Sequence, residues 1–179
     1  MIQTLIVDDE NIERQGIKRL INSYALPFQV TLASSGKMAL DFIRSNAVDL
    51  MLTDVRMPIM DGLQLAEAAL NEKANLQIVL ISGFSEFEYA KTAMKLGVKD
   101  YLLKPVNPVE FRNTMTRIAE QIMKQNDKKD KEQFTDLQMR KYVLTCLLNG
   151  TPSEFQRMEQ RRNQYSVFKS VSPCISVEF

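Results

Sequence analysis

The sequence predicts an α/β fold, a doubly wound, five-stranded parallel sheet with helices on both faces. Three observations carry this. Up to about residue 125, short apolar runs alternate five times with segments whose apolar residues fall at helical spacing. The apolar runs are continuous, as strands covered on both faces require. Residues capable of chemistry collect just after those runs, where sheets of this kind place their ligand sites.

Leu5-Ile6-Val7 is the first buried run. Residues 10–23 follow as a helix, with Ile12, Ile17, Leu20 and Ile21 at helical spacing. Phe28 to Ala33 reads as the second strand, and Met38, Ala39, Phe42 and Ile43 mark the second helix. The third strand is Leu50 to Thr53, and the third helix runs from Leu63 to Leu70, with Asp61 as its cap. Ile78-Val79-Leu80-Ile81 is the fourth strand. Phe87, Ala90, Ala93 and Met94 line a fourth helix that Gly97 can close. Tyr101-Leu102-Leu103 is the fifth strand, followed by a fifth helix from Val109 to Met123. Crossovers between the strands are expected to be right-handed.

Beyond this first domain, residues 1–123, the stretch KQNDKKDKEQ at 124–133 is almost wholly polar. It reads as a linker or as an exposed extension of the fifth helix, and the absence of Pro and Gly favours helix. Apolar periodicity returns at Phe134, Leu137, Val143, Leu144, Leu147 and Leu148, and Asn149-Gly150 stops it. A short helix from Pro152 to about Arg162 and a strand-like Cys174 to Phe179 follow. A lone strand is unstable, so residues 134–179 are expected to be the helical start of a truncated middle domain.

Composition narrows the function. Lys and Arg total 23 against 22 Asp and Glu, which gives no basic footprint for nucleic acid within this chain. No apolar run approaches a membrane span, and the N-terminus lacks a secretory pattern, so a cytoplasmic location is expected. Cys146 and Cys174 form no Cys-x-x-Cys pair. There is no histidine, which removes a Ser-His-Asp triad and any phosphohistidine formed on this chain. There is no P-loop either.

The informative residues stand at the strand ends. Asp8 and Asp9 follow the first strand, Asp54 ends the third, Ser82 and Gly83 the fourth, and Lys104 and Pro105 the fifth. Taken singly these are helix-capping acids, a turn acid, a loop pair and a surface lysine. Taken together, at ends that a doubly wound sheet brings to one crevice, they describe a site. Two carboxylates about 4 Å apart repel by about 4 kcal/mol at an effective dielectric near 20, so three would raise a pKa or recruit a cation. Hard oxygen ligands in small number suit Mg²⁺. An Asp beside such an ion can act as a nucleophile and form an aspartyl phosphate, with Lys104 and Ser82 donating to its oxygens.

Four segments in order, Val7-Asp8-Asp9-Glu10, Asp54-Val55-Arg56-Met57-Pro58-Ile59-Met60-Asp61-Gly62, Ile81-Ser82-Gly83 and Tyr101-Leu102-Leu103-Lys104-Pro105, resemble the receiver domain of bacterial two-component response regulators. The resemblance covers residues 1 to about 125 and implies the flavodoxin-like receiver fold with strand order 2-1-3-4-5. It implies Asp54 as phosphoacceptor from a sensor histidine kinase. Mg²⁺ (or Mn²⁺) would be held by Asp9, Asp54, the backbone carbonyl of Arg56 and, mostly through water, Asp8. Lys104 would contact the phosphoryl group, Ser82 would reorient towards it, Tyr101 would turn inward, and the Lys104-Pro105 bond would be cis. Gly83 stands where many members have alanine, and Phe84 and Arg56 lie close enough to tune phosphoryl lifetime.

Gly83 to Lys91, with Leu147-Leu148-Asn149-Gly150, looks like the subgroup that carries AraC-type helix-turn-helix output domains. No helix-turn-helix pair precedes Phe179, so DNA binding would belong to a C-terminal domain missing from this chain. A homodimer through the receiver and helix 108–148 is a further expectation, as is the lack of true enzymatic turnover beyond self-phosphorylation and slow autodephosphorylation. Three competitors remain open here. One is a Mg²⁺-dependent aspartyl-nucleophile phosphohydrolase, whose haloacid dehalogenase type has an acid where Arg56 stands. The others are a flavin-binding module and a docking module that is never phosphorylated.

Overall fold

The structure is a computed structural model that describes residues 1–83, 93 and 96–149. The chain divides into two compact units, Met1–Ile122 and Met123–Phe179.

In the first unit, β1 (Ile2–Val7), β2 (Phe28–Ala33), β3 (Leu50–Asp54), β4 (Gln77–Ser82) and β5 (Asp100–Leu103) form one sheet in the order β2-β1-β3-β4-β5. Every pairing is parallel. This is the predicted sheet and strand order. The helices between are α1 (Asn11–Ser23), α2 (Gly36–Ser45) and α3 (Gly62–Glu72), with α4 (Pro108–Asn149) after β5.

Successive strand residues face opposite layers. Leu5, Met51, Ile78 and Leu80 pack under α2 and α3, against Ala39, Ile43, Leu65 and Ala69. Ile6, Leu52, Val79 and Leu102 face the other way, where Ile17 and Ile21 of α1 meet Phe111, Met115 and Ile118 of α4. Burying each of the Leu, Ile, Val, Met and Phe side chains among them stabilises by about 1.5–3 kcal/mol.

The helix starts fix the loops. Ser35 caps α2, accepting from the Met38 N–H at 3.3 Å. Asp61 and Gln64 form a reciprocal capping box at the start of α3. Asp61 accepts the Gln64 N–H at 2.7 Å, and the Gln64 side chain accepts the Asp61 N–H at 3.1 Å. This matches the cap expected at Asp61.

The predicted fourth helix falls almost wholly outside the described residues, as does Phe84. Its expected end is seen: Gly97 has a φ of 77°, and the Val98 N–H donates to the Ala93 carbonyl at 3.2 Å, a Schellman closure. Residues 124–133 are helical within α4. Four of these ten residues are Lys and two are Gln, both good helix formers. Within the second unit, Phe134 and Leu137 are exposed. The expected short helix after Pro152 and the strand-like Cys174 to Phe179 lie outside the described residues.

Candidate functional site

The register aligns the strand ends. Val7 pairs with Thr53, Asp54 with Ile81 and Ser82 with Leu103. Asp8, Asp54, Ser82 and Lys104 therefore share one edge of the sheet. Lys104 is drawn to β4 by its own N–H, which donates to the Ser82 carbonyl at 2.7 Å.

The Lys104 ammonium stands 2.6 Å from Asp54 Oδ1 and 3.1 Å from Asp8 Oδ2. Both acids are buried, at 6% and 7% exposure. The other Asp8 oxygen, Oδ1, accepts the Glu10 N–H at 2.8 Å. The Asp8 backbone is held as well: its N–H donates to the Ala33 carbonyl at 3.3 Å, and its carbonyl accepts from the Arg14 guanidinium. Arg14 also reaches Asn11 Oδ1 at 3.3 Å. The sequence reading missed Arg14. The available signal was a basic residue in the first turn after an acid pair.

Burial pushes the Asp54 carboxyl above the ordinary aspartate value of 3.8. The hydrogen bond and charge of Lys104 oppose the rise, Asp8 adds to it, and the Arg56 N–H on the carboxylate opposes it. Lys104 also moves upward: burial works against its charge, but Asp54 and Asp8 outweigh it. The two directions agree physically. Lys104 faces two carboxylates, whereas Asp54 faces one ammonium and one like charge.

Other expected residues are placed as follows. Asp9 is exposed, directly after buried Asp8, and Arg56 is exposed just past Asp54. Ser82 is buried at the end of β4, with Oγ 3.5 Å from the Gly83 carbonyl oxygen. Tyr101 stands opposite Leu80 and packs against the layer under α2 and α3. Its hydroxyl is buried without a hydrogen-bond partner among the described residues. The Lys104-Pro105 peptide is cis.

Among the described residues, no three acids or thiols converge to hold a metal by side chains alone. The donor set nonetheless suits a hard divalent cation. Two buried carboxylates share one ammonium, and the atoms they offer are hard oxygens.

Residues 4–116 match the model of the response regulator receiver domain. The chain belongs to the response regulator receiver family. Among curated relatives, this receiver is 37% identical over 132 residues to the uncharacterized transcriptional regulatory protein YesN of Bacillus subtilis, covering 73% of this chain and 36% of YesN. It is 34% identical over 128 residues to the transcriptional regulatory protein HptR of Staphylococcus aureus, covering 70% of this chain and 49% of HptR. The receiver chain thus spans about half or less of the length of these relatives. Among solved structures it resembles the receiver domain of AraT, a response regulator from Geobacillus stearothermophilus. That match has a TM-score of 0.63 at 36% identity, covering 70% of this chain and 98% of that one. A two component transcriptional regulator AraC from Clostridium phytofermentans matches with a TM-score of 0.64 at 31% identity, covering 72% and 99%. Among the described residues, no helix is long and apolar enough to cross a membrane.

Proposed function

We propose that this receiver is a phosphorylation-controlled switch in the cytoplasm, with Asp54 as phosphoacceptor and a sensor histidine kinase as donor. The observation that carries the reading is Lys104, placed between buried Asp54 and buried Asp8 at the carboxyl edge of the sheet. An Asp54 carboxylate oxygen attacks phosphorus, the donor's bond to phosphorus breaks, and an aspartyl phosphate forms. Lys104 donates to the phosphoryl oxygens. Asp9, Asp54, the Arg56 carbonyl and, through water, Asp8 would hold Mg²⁺ or Mn²⁺. Bound there, the ion offsets charge on the transferred group.

Three exposed apolar side chains lie in the segments that follow β1, β3 and β5. Ile12 in the first turn of α1 is 83% exposed, Ile59 after β3 103%, and Val109 in the first turn of α4 69%. They support docking of the kinase beside Asp54. The incoming phosphoryl adds about −1.5 to −2 charge. Ser82 and Lys104 rearrange around it, and Tyr101 follows. Moving a switch from 1:99 to 99:1 needs about 5.5 kcal/mol. Two or three charge-assisted hydrogen bonds, at about 1.5–3 kcal/mol each, supply much of that.

The output is transcriptional control, a reading supported by the naming of YesN and HptR as transcriptional regulatory proteins, and it would act through DNA binding by a further domain. A homodimer through the receiver and helix 108–148 would relay the change, and exposed Phe134 and Leu137 support that role. The test is acetyl phosphate with Mg²⁺ and intact-mass detection. Wild type gains one phosphoryl mass and Asp54→Asn gains none. A wild type that stays unlabelled ends the switch reading and leaves a docking module. Equal labelling of the variant moves the site away from Asp54.

A further inference from the structure

We infer that Gly62 is a positioning residue for Asp54: its missing side chain lets the first residue of α3 abut the peptide that carries the phosphoacceptor. The inference rests on the reading of Asp54 above.

A Cβ built at Gly62 overlaps the Asp54 carbonyl oxygen. It also comes within 3.0 Å of the Asp54 carbonyl carbon and of Val55 Cα. These are backbone atoms and cannot rotate aside as a side chain would. Conformational freedom is not the reason for glycine here, because Gly62 has no positive φ. Space is the reason. By contrast, a Cβ at Gly16 or Gly83 meets nothing within 4 Å.

The contact clamps the end of β3. The Gly62 N–H donates to the Val55 carbonyl at 2.8 Å, while the Val55 N–H donates to the Ile81 carbonyl at 3.0 Å. The peptide after Asp54 is therefore held between the start of α3 and the end of β4. The Asp61–Gln64 capping box fixes the helix start that forms one jaw of this clamp. A methyl at position 62 must push either α3 or the Asp54 carbonyl. The Val55–Ile81 hydrogen bond blocks a simple retreat, so the squeezed peptide has to tilt, and on this inference the tilt shifts Asp54 relative to Lys104. Misplacement of a reacting group by about 1 Å can cost about a hundredfold in rate.

The experiment compares wild type, Gly62→Ala and Gly16→Ala, labelled with acetyl phosphate and Mg²⁺ well below their unfolding transitions. Labelling is followed by intact mass across a range of acetyl phosphate concentrations. Gly62→Ala is expected to lose at least about tenfold in maximal labelling rate while its circular dichroism stays native. Gly16→Ala is expected to label as wild type. If Gly62→Ala does not fold, the caps decide. Asp61→Ala, which frees the start of α3, should then slow labelling, and Ser35→Ala, which frees α2, should not.

A folded Gly62→Ala that labels at the wild-type rate overturns the inference. So does equal labelling of the two cap variants where Gly62→Ala is unfolded. A wild type that never gains the phosphoryl mass overturns the Asp54 reading and this inference with it, whereas a labelled wild type matched by Gly62→Ala overturns only the inference.

Discussion

Lys104→Met removes the ammonium that bridges the two buried acids. Its nitrogen lies 2.6 Å from Asp54 and 3.1 Å from Asp8, so the two carboxylate oxygens stand within roughly 6 Å of each other. At that separation and an effective dielectric near 20, their mutual repulsion is about 3 kcal/mol. Methionine keeps most of the stem volume, so packing changes little. Removing one partner of a buried ion pair costs about 3–5 kcal/mol. Near neutral pH and without metal, the variant should lose about 3 kcal/mol, or about 12 °C in the receiver's melting temperature at about 4 °C per kcal/mol. The sign with pH follows from Asp54. Its carboxyl already titrates above 3.8 in the folded state, and losing Lys104 raises it further. Folding then favours the protonated acid, so stability is gained as pH falls through that window and lost as pH rises through it. The deficit relative to wild type should shrink as pH falls from neutral towards 3.8, because protonation removes the repulsion. Thermal unfolding by circular dichroism in chelator, across that range, measures it. A variant that melts with wild type near neutral pH, or whose deficit grows towards acid, refutes the reasoning.

Asp54→Asn should stabilise the metal-free receiver near neutral pH, by about 1 kcal/mol or about 4 °C. Burial disfavours the Asp54 charge, so the gain should widen as pH rises from 3.8 through the raised folded value, as a melting series would show. Ile12→Asp adds an acid to the first turn of α1, where the helix dipole tolerates it. It should slow phosphotransfer from the cognate kinase at least about tenfold, through about 1.4 kcal/mol of lost docking, while labelling by acetyl phosphate stays unchanged. Parallel radiolabel and intact-mass assays separate the two. Gly16→Ala fills open space inside α1 and should raise unfolding stability in urea by about 0.5–1 kcal/mol.

How far the site could be read from the sequence depends on which forces are local. The strands β3 and β4 were legible because both faces are covered, which writes Leu50-Met51-Leu52 and Ile78-Val79-Leu80-Ile81 as unbroken apolar runs. The start of β1 was not, because Gln3 and Thr4 look like loop residues. Ladder pairing settles it: Gln3 and Thr4 pair with Gln29 and Val30 of β2. The Thr4 hydroxyl returns to the Ile2 carbonyl at 3.3 Å, and the Gln3 N–H donates to Asp49 at 2.8 Å. The gathering of polar residues at one sheet edge was legible too, since Asp54 and Ser82 end β3 and β4 while Asp8 and Lys104 stand one residue beyond β1 and β5. Their wiring was not. Motif reading treats Lys104 as a partner for a phosphoryl group on Asp54, yet here the same ammonium also holds Asp8, 96 positions away. That sharing is a matter of three-dimensional distance and leaves no trace in spacing. It also bears on the switch itself. In the proposed switch, a phosphoryl group on Asp54 would have to draw Lys104 against the pull of Asp8, so Asp8 would set part of the threshold.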